Sequence, residues 1–477
     1  MSWLEKVLLI TILMYLFVLI VNPFKNKTVR LYLPVIAFAL MVSLSLYDSV
    51  TWQFVPVYFL TAMAFMSSLI AIGLDKSARK RPELEGYDSR KKLIVLTVFA
   101  LILSGVALWA FPLYDMPEPP GNYAIGTATY DFTETGTIEI YGDAKGENRR
   151  IKVQVWYPAE STEGLERVPW LEDGRVVARA LAGEMKAPKF ILDHTKDVLS
   201  NAYADAPISR VSETYPIVVL SHGWTGFRNL HSDLAETLAS NGYIVFGIDH
   251  TFGSQITVFK DGTIKELDHL ALPDREATPD FLYYARELVD TYANDITFVL
   301  DQLPGFDDGI YSPIFKGHLN LDKIGLLGHS TGGGADVSVA IKDARIKALL
   351  GMDAWVEPIP DNELAKGLKI PAIFLRSGQW ETGYNNTYLT KLIDNSISGT
   401  ELYQIDGTTH IDFTMAYMYS RLTKVIGFTG DVDRKTFTDI QNRFILDFFA
   451  STLNEAQGLR VNRISEVWPI VKLIQTR

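Results

Sequence analysis

The chain has no cysteine in its 477 residues. That excludes a disulfide framework and any thiolate chemistry, nucleophilic or metal-ligating. Histidine is scarce as well: eight residues, at 194, 222, 231, 250, 269, 318, 329 and 410. No His-Glu-x-x-His motif and no histidine pair at ligand spacing occurs, so a zinc hydrolase has no donor set and neither a metal nor an organic cofactor is expected. Repeats and low-complexity tracts are absent, which excludes solenoids and disordered arrays. Basic charge is short in the larger part of the chain. Subtracting the 11 basic and 6 acidic residues of the first 113 from 45 and 56 leaves 34 and 50, a formal charge of −16. A field of that sign repels nucleic acid and gives no electrostatic grip on anionic lipid.

Apolar residues are abundant instead, at 48%, a high share for a wholly soluble protein. Four nearly uninterrupted apolar runs account for it: Val7 to Val21, Leu31 to Tyr47, Phe54 to Leu74 and Leu93 to Leu113. Each approaches the roughly 20 residues that cross a bilayer core, so four transmembrane helices are expected. The loop after the first run carries Lys25, Lys27 and Arg30, and the loop after the third carries Lys76, Arg79, Lys80, Arg81, Arg90, Lys91 and Lys92. The segments after the second and fourth runs have no Lys or Arg. The positive-inside rule then puts both basic loops in the cytoplasm and everything after Leu113 on the outer face of a cell membrane.

Asp115 to Gly121 (DMPEPPG) reads as a proline-rich linker. The expected organisation is a membrane domain over 1–113, a linker over 114–121 and a catalytic domain over 122–477. The last opens with a hairpin, Thr137 to Tyr141 and Ile151 to Trp156 around a turn at Gly142 to Asn148. Short apolar strands follow at Pro216 to Leu220, Ile244 to Ile248, Ile324 to Leu327, Ala348 to Met352, Ala372 to Leu375 and Leu402 to Ile405. Helix-length segments alternate with them: Asn229 to Ser240, Phe281 to Leu303, Gly333 to Ile341 and Thr436 to Leu453. This pattern predicts an α/β fold, a mostly parallel sheet with helices on both faces.

Gly328-His329-Ser330-Thr331-Gly332 sits between a buried strand and a glycine-rich helix start. That is the strand-turn-helix setting of a nucleophile elbow in an α/β-hydrolase, which exposes the serine hydroxyl above the sheet. A serine needs a base, and in this fold acid and histidine follow it in the chain. Only His410 lies after Ser330. Two acids end nearby strands, Asp353 in GMDAW and Glu381 in RSGQWET, and either strand end can aim a carboxylate at the imidazole. Asp412 is too near His410 in sequence to reach round it. The loop Ser221-His222-Gly223-Trp224 resembles the His-Gly oxyanion segments of esterases, so the backbone amides of Trp224 and Thr331 are the expected oxyanion donors, with His222 shaping the loop. Trp355, Trp380 and Tyr384 are candidates to line an acyl pocket or to pack over the strand ends. The run Ile464 to Ile474 is expected to pack on the domain rather than lie on a membrane.

From about residue 150 to 450 the chain resembles the plasma-type platelet-activating-factor acetylhydrolases, a branch of the α/β-hydrolases. The resemblance rests on VQVWYPA (Val153 to Ala159), VVLSHGWTGFRN (Val218 to Asn229), ASNGYIV (Ala239 to Val245), DITFVLDQL (Asp295 to Leu303), GHSTGG, MDAW and the His410 loop. It implies that Asp353, in the Leu-Asp-Ala-Trp-like motif, is the triad acid, and it reinforces Trp224 and Thr331. Family members usually carry a bulky apolar residue after the nucleophile, where this chain has Thr331. The resemblance implies a serine carboxylic-ester hydrolase with Ser330, His410 and Asp353 as its triad and phospholipid esters among its substrates. Rival readings are an esterase or amidase acting on small soluble or polymeric substrates, and a non-catalytic adhesion or sensor protein on the same fold.

Overall fold

In the segment Ile217-Val218-Val219-Leu220 every side chain is apolar, because alternate residues serve two different cores. Ile217 and Val219 join one buried cluster, and Val218 and Leu220 join another. The computed structural model describes residues 3–21, 27–47, 51–76, 88–454 and 463–477. The chain divides into two compact units. One comprises Met1–Tyr114 with Lys186–His194 and Ser420–Leu422; the other comprises the rest.

The first unit is built on α1 (Trp3–Val21), α2 (Lys27–Tyr47), α3 (Val55–Lys76) and α4 (Asp88–Ala110). Leu8, Ile12, Leu44, Val57 and Ala100 are buried together between them. Three stretches are long and apolar enough to cross a membrane, by length and composition: Trp3–Val21, Trp52–Ile70 and Lys91–Ala110. The second expected span, Leu31–Tyr47, forms a shorter apolar helix, its stretch bounded on the N-terminal side by Arg30. Lys25 and the Arg79 to Arg81 cluster, on which the orientation argument leans, lie outside the described residues.

The second unit holds the strands β1 (Ala124–Ile138), β2 (Asn148–Ala159), β3 (Arg167–Pro169), β4 (Leu199–Ala204), β5 (Tyr215–Ser221), β6 (Ile244–Asp249), β7 (Ile256–Val258), β8 (Ile264–Glu266), β9 (Leu319–His329), β10 (Ile346–Met352), β11 (Ala372–Ser377), β12 (Thr400–Ile405) and β13 (Val471–Thr476). Apart from the small β7–β8 hairpin they form one sheet, ordered β13-β12-β11-β10-β9-β5-β6-β2-β1-β4-β3. From β6 to β12 all neighbours run parallel. Antiparallel pairs flank that run, β2 against β6 and β13 against β12. The helices α5 (Gly174–Glu184), α6 (Ser232–Ser240), α7 (Phe281–Asp307) and α8 (Thr331–Lys342) follow in chain order. The α7 and α8 side chains fill the core on one face of the sheet; those of α6 and of the helix Arg434–Leu453 fill the other.

The opening hairpin is longer than the sequence suggested. β1 starts at Ala124, so the expected strand at 137–141 catches only its end. Gly126 and the threonines at 127, 129, 133, 135 and 137 dilute its apolar pattern, and pairing with β2 and β4 is what buries its first half. α7 runs through Pro304 to Asp307, since a proline in the last turn forfeits little of the helical ladder. The C-terminal run packs on the domain as expected: Ile464 and Val471 are buried and β13 extends the sheet beside β12.

Candidate active site

β9 carries the chain to the C-terminal edge of the parallel sheet and α8 leads it away, with Ser330 at the corner. Its backbone sits at φ 55°, ψ −121°, a conformation costly for a side-chain-bearing residue and typical of strained functional corners. The two elbow glycines are steric necessities. A Cβ on Gly328 would lie 2.3 Å from Asp336 Oδ2, and one on Gly332 would lie 2.5 Å from the carbonyl oxygen of His222. The corner is tied to the end of β10 by the Ser330 amide donating to Met352 O (3.0 Å) and the Trp355 amide donating to Ser330 O (2.9 Å).

Asp353 follows β10, also at positive φ (42°). Its carboxylate is fully buried and fully occupied. Oδ1 accepts from the Ser377 amide (2.7 Å), and Oδ2 accepts from the Ser377 hydroxyl (2.6 Å) and from Nδ1 of His410 (3.0 Å). An imidazole so held carries its proton on Nδ1 and leaves Nε2 as the base. His410 begins a short 3₁₀ turn, and its amide donates to Gln379 Oε1 (2.7 Å). Its ring is one-fifth exposed and lies between two others: Trp380, 4.5 Å away and parallel to within 2°, and His329, 4.4 Å away. Glu381, the other acid open in the sequence, is exposed at the end of the turn Gly378–Glu381. Asp412 accepts from the amides of Thr409 (2.7 Å) and Gly430 (2.8 Å), which makes it a cap for the histidine loop.

Among the described residues, neither the Trp224 amide nor the Thr331 amide has a hydrogen-bond partner. Thr331 is the first residue of α8, where helical N–H groups are orphaned by geometry. A Cβ on Gly223 would stand 2.8 Å from Cβ of Ser330 and 3.3 Å from its Oγ, so only glycine lets this backbone approach the serine so closely. The carbonyl of Gly223 belongs to the same peptide as the Trp224 N–H. It accepts from Nδ1 of His222 (2.7 Å) and from the Gly226 amide (2.9 Å). Nε2 of His222 accepts from the Ser254 hydroxyl (2.8 Å) and the His250 amide (3.3 Å). His222 is thus locked as one neutral tautomer, and burial, then neighbouring His250, hold its pKa well below the ordinary range. His222 shapes the loop, as the sequence suggested.

Ser330, His410 and Trp224 line a cavity of about 170 Å³ together with Leu230, Ile411 and Phe428. None of the three aromatics weighed for an acyl pocket lines the cavity itself. Trp355 is buried with its indole N–H directed at Glu357 (3.2 Å), Trp380 stacks on His410, and Tyr384 is largely exposed. Sequence reasoning missed Ser377, Gln379 and His329. A polar residue at the end of β11 and another in the turn after it carry no local signal of what they will face.

The family model described as platelet-activating factor acetylhydrolase, isoform II, matches residues 110–462. A platelet-activating factor acetylhydrolase of Canis lupus familiaris is 26% identical over 72% of this chain and 78% of its own length. A probable 1-alkyl-2-acetylglycerophosphocholine esterase of Arthroderma benhamiae is 25% identical over 61% of this chain and 71% of its own. Among solved structures, a ferulic acid esterase from Streptomyces cinnamoneus superposes with a TM-score of 0.62 at 23% identity, over 76% of this chain and all of that one. That last likeness carries the fold, an α/β-hydrolase sheet.

Proposed function

This chain belongs to the platelet-activating factor acetylhydrolase, isoform II, family and is a carboxylic-ester hydrolase; on that premise we propose that it is a membrane-anchored serine esterase of short-acyl phospholipids. Ser330 attacks the ester carbonyl while Nε2 of His410 takes its proton, and Asp353 holds the imidazole and stabilises the imidazolium. The oxyanion forms against the amides of Trp224 and Thr331. His410 then protonates the leaving alcohol, and water, activated by the same imidazole, releases the acid. One observation carries this reading: the bond from Asp353 to His410 Nδ1 (3.0 Å) leaves Nε2 free on a ring that shares a cavity with Ser330, at the tip of a strained elbow. The small, largely apolar cavity supports a short acyl chain, and the relatives' names support a phospholipid leaving group.

The membrane domain occupies 1–113 in this reading, with Leu31–Tyr47 as a fourth span beside the three longer ones, 114–121 as linker and 122–477 as catalytic domain on the outer face. The 17-residue apolar stretch 31–47 is at the short end of what crosses a bilayer, so the even number of spans rests on it. The test uses the full chain in detergent. Wild type should release acyl groups from p-nitrophenyl acetate and short-acyl phosphatidylcholine and react with a fluorophosphonate, and Ser330→Ala should lose both properties, with turnover falling by roughly 10⁵ to 10⁶. Equal turnover by Ser330→Ala would remove the mechanism; preference for long-acyl phospholipid would remove the substrate assignment. Protease accessibility of residues beyond 121 on intact cells tests the topology.

A further inference from the structure

The turn Gly378–Glu381 does two things to His410 that the triad itself does not require. Gln379 accepts from the backbone amide of His410 (2.7 Å), which fixes where the residue starts. Trp380 lays its indole parallel to the imidazole, 2° between planes and 4.5 Å between centres. The turn is anchored to the same carboxylate that holds the imidazole. The Trp380 amide donates to the Ser377 hydroxyl (3.3 Å), that hydroxyl donates to Asp353 Oδ2 (2.6 Å), and the Trp380 carbonyl accepts from Asn386 Nδ2 (3.0 Å). The other face of the imidazole meets His329. Burial, and then His410 itself, keep the pKa of His329 well below the ordinary range, so that ring is neutral.

We propose that Trp380 is a positioning residue for the ester hydrolysis, and that its indole face favours the imidazolium form of His410 that arises when Ser330 attacks. The inference rests on the triad reading given above. An aromatic face attracts a cation stacked on it through its quadrupole, most strongly for tryptophan. The other titratable and charged groups around His410 are few. Asp353 at the end of β10 bonds Nδ1, and His329 at the end of β9 covers the second face. Glu381 ends the turn that carries Trp380, while Arg376 on β11 is spent on Gln404 and Asn386. Asp412, on the turn of His410 itself, is spent on backbone amides. Among the described residues the indole is therefore the uncharged group stacked parallel on the ring, where its quadrupole discriminates between the two forms.

The direction of the effect follows from the chemistry. His410 must be neutral to accept the serine proton, and the attack turns it into a cation. A group that favours the charged form speeds the step that creates charge. Removing it moves the acid limb of kcat/KM to lower pH and lowers the plateau of kcat.

The experiment measures pH profiles on p-nitrophenyl acetate for the full-length chain, Trp380→Leu, Trp380→Phe and Ser330→Ala in detergent. For Trp380→Leu, kcat should fall about threefold to tenfold with KM unchanged, and the acid limb should move down by about half a unit to one unit. Trp380→Phe keeps a face over the ring and should lose less than threefold. Because Trp380→Leu can disturb folding, a second readout uses the tryptophan itself. The fluorescence of the parent minus that of Trp380→Phe should show a step, quenched on the acid side, with the same midpoint as the acid limb. A parent-like profile in Trp380→Leu, a rise in KM at constant kcat, or a difference fluorescence with no step at that midpoint overturns the inference while leaving the triad intact. Full activity in Ser330→Ala overturns both.

Discussion

Two loops at the C-terminal edge of the sheet each bring a histidine to the neighbourhood of Ser330, and the two histidines end in opposite surroundings. After β12, His410 has a buried carboxylate on Nδ1 and a ring one-fifth exposed. After β5, His222 is buried, has no carboxylate partner among the described residues, and spends both ring nitrogens on hydrogen bonds to Gly223, Ser254 and the His250 amide. An imidazole with a carboxylate and a free nitrogen can take a proton; one sealed among neutral partners cannot, because burial penalises its charged form. The difference lies in the surroundings and not in the residue type: only one of the two rings has a carboxylate partner and a nitrogen left free.

The comparison breaks most sharply at the carboxylate. Asp353→Asn should leave the fold in place but reverse the preferred tautomer of His410, lowering kcat by about 10⁴, with Glu381→Gln near wild type. Steady-state kinetics on a chromogenic acetate ester checks both, and the opposite ranking would transfer the role to Glu381. At the other loop, His222→Ala should free the Gly223 carbonyl and let the Trp224 N–H turn away from the oxyanion. A loss in kcat of about 10² to 10³ is expected, with little change in KM, as for deletion of one oxyanion donor. A loss as deep as that of Ser330→Ala would make His222 more than a holder of the peptide.

The smallest effect is on stability. Burial holds the pKa of His231 down to about 4 from an ordinary 6.5, so the folded state keeps this ring neutral. A depressed folded pKa means that the unfolded chain binds protons first. The contribution is complete above pH 6.5 and is lost as pH falls from 6.5 towards 4, on the order of 3 kcal/mol in all. Denaturant unfolding of His231→Phe between pH 7 and pH 4 should show a shallower loss of stability than wild type. An unchanged slope would place the acid sensitivity in other groups.

Much of the fold was legible because its signals are local. Central strands buried on both faces must be apolar throughout, and six of them were read from that alone. β1, β3, β4 and β13 were not, since their burial depends on which strands lie beside them. β1 in particular is rich in threonine and becomes a core strand only where β2 and β4 cover it. Among the site residues, Ser330 was readable from its glycines, each of which has no room for a Cβ. Trp380 was noticed as an aromatic near the site, but its place over the imidazole could not be read from a turn of the chain that ends 29 residues earlier.

The sequence by itself determined the elbow, the single histidine after it and the apolar stretches of the first 113 residues, because steric demands, chain order and hydropathy are properties of a few adjacent residues or of a simple count. It left the acid open between Asp353 and Glu381 until a family likeness was used. Only the tertiary structure brought Asp353 within 3.0 Å of a histidine 57 residues away, set Ser377 beneath that carboxylate and laid Trp380 on the ring. The ends of β9, β10, β11 and β12 converge only once the parallel sheet is assembled, and the partners of each histidine there follow from what that assembly brings together.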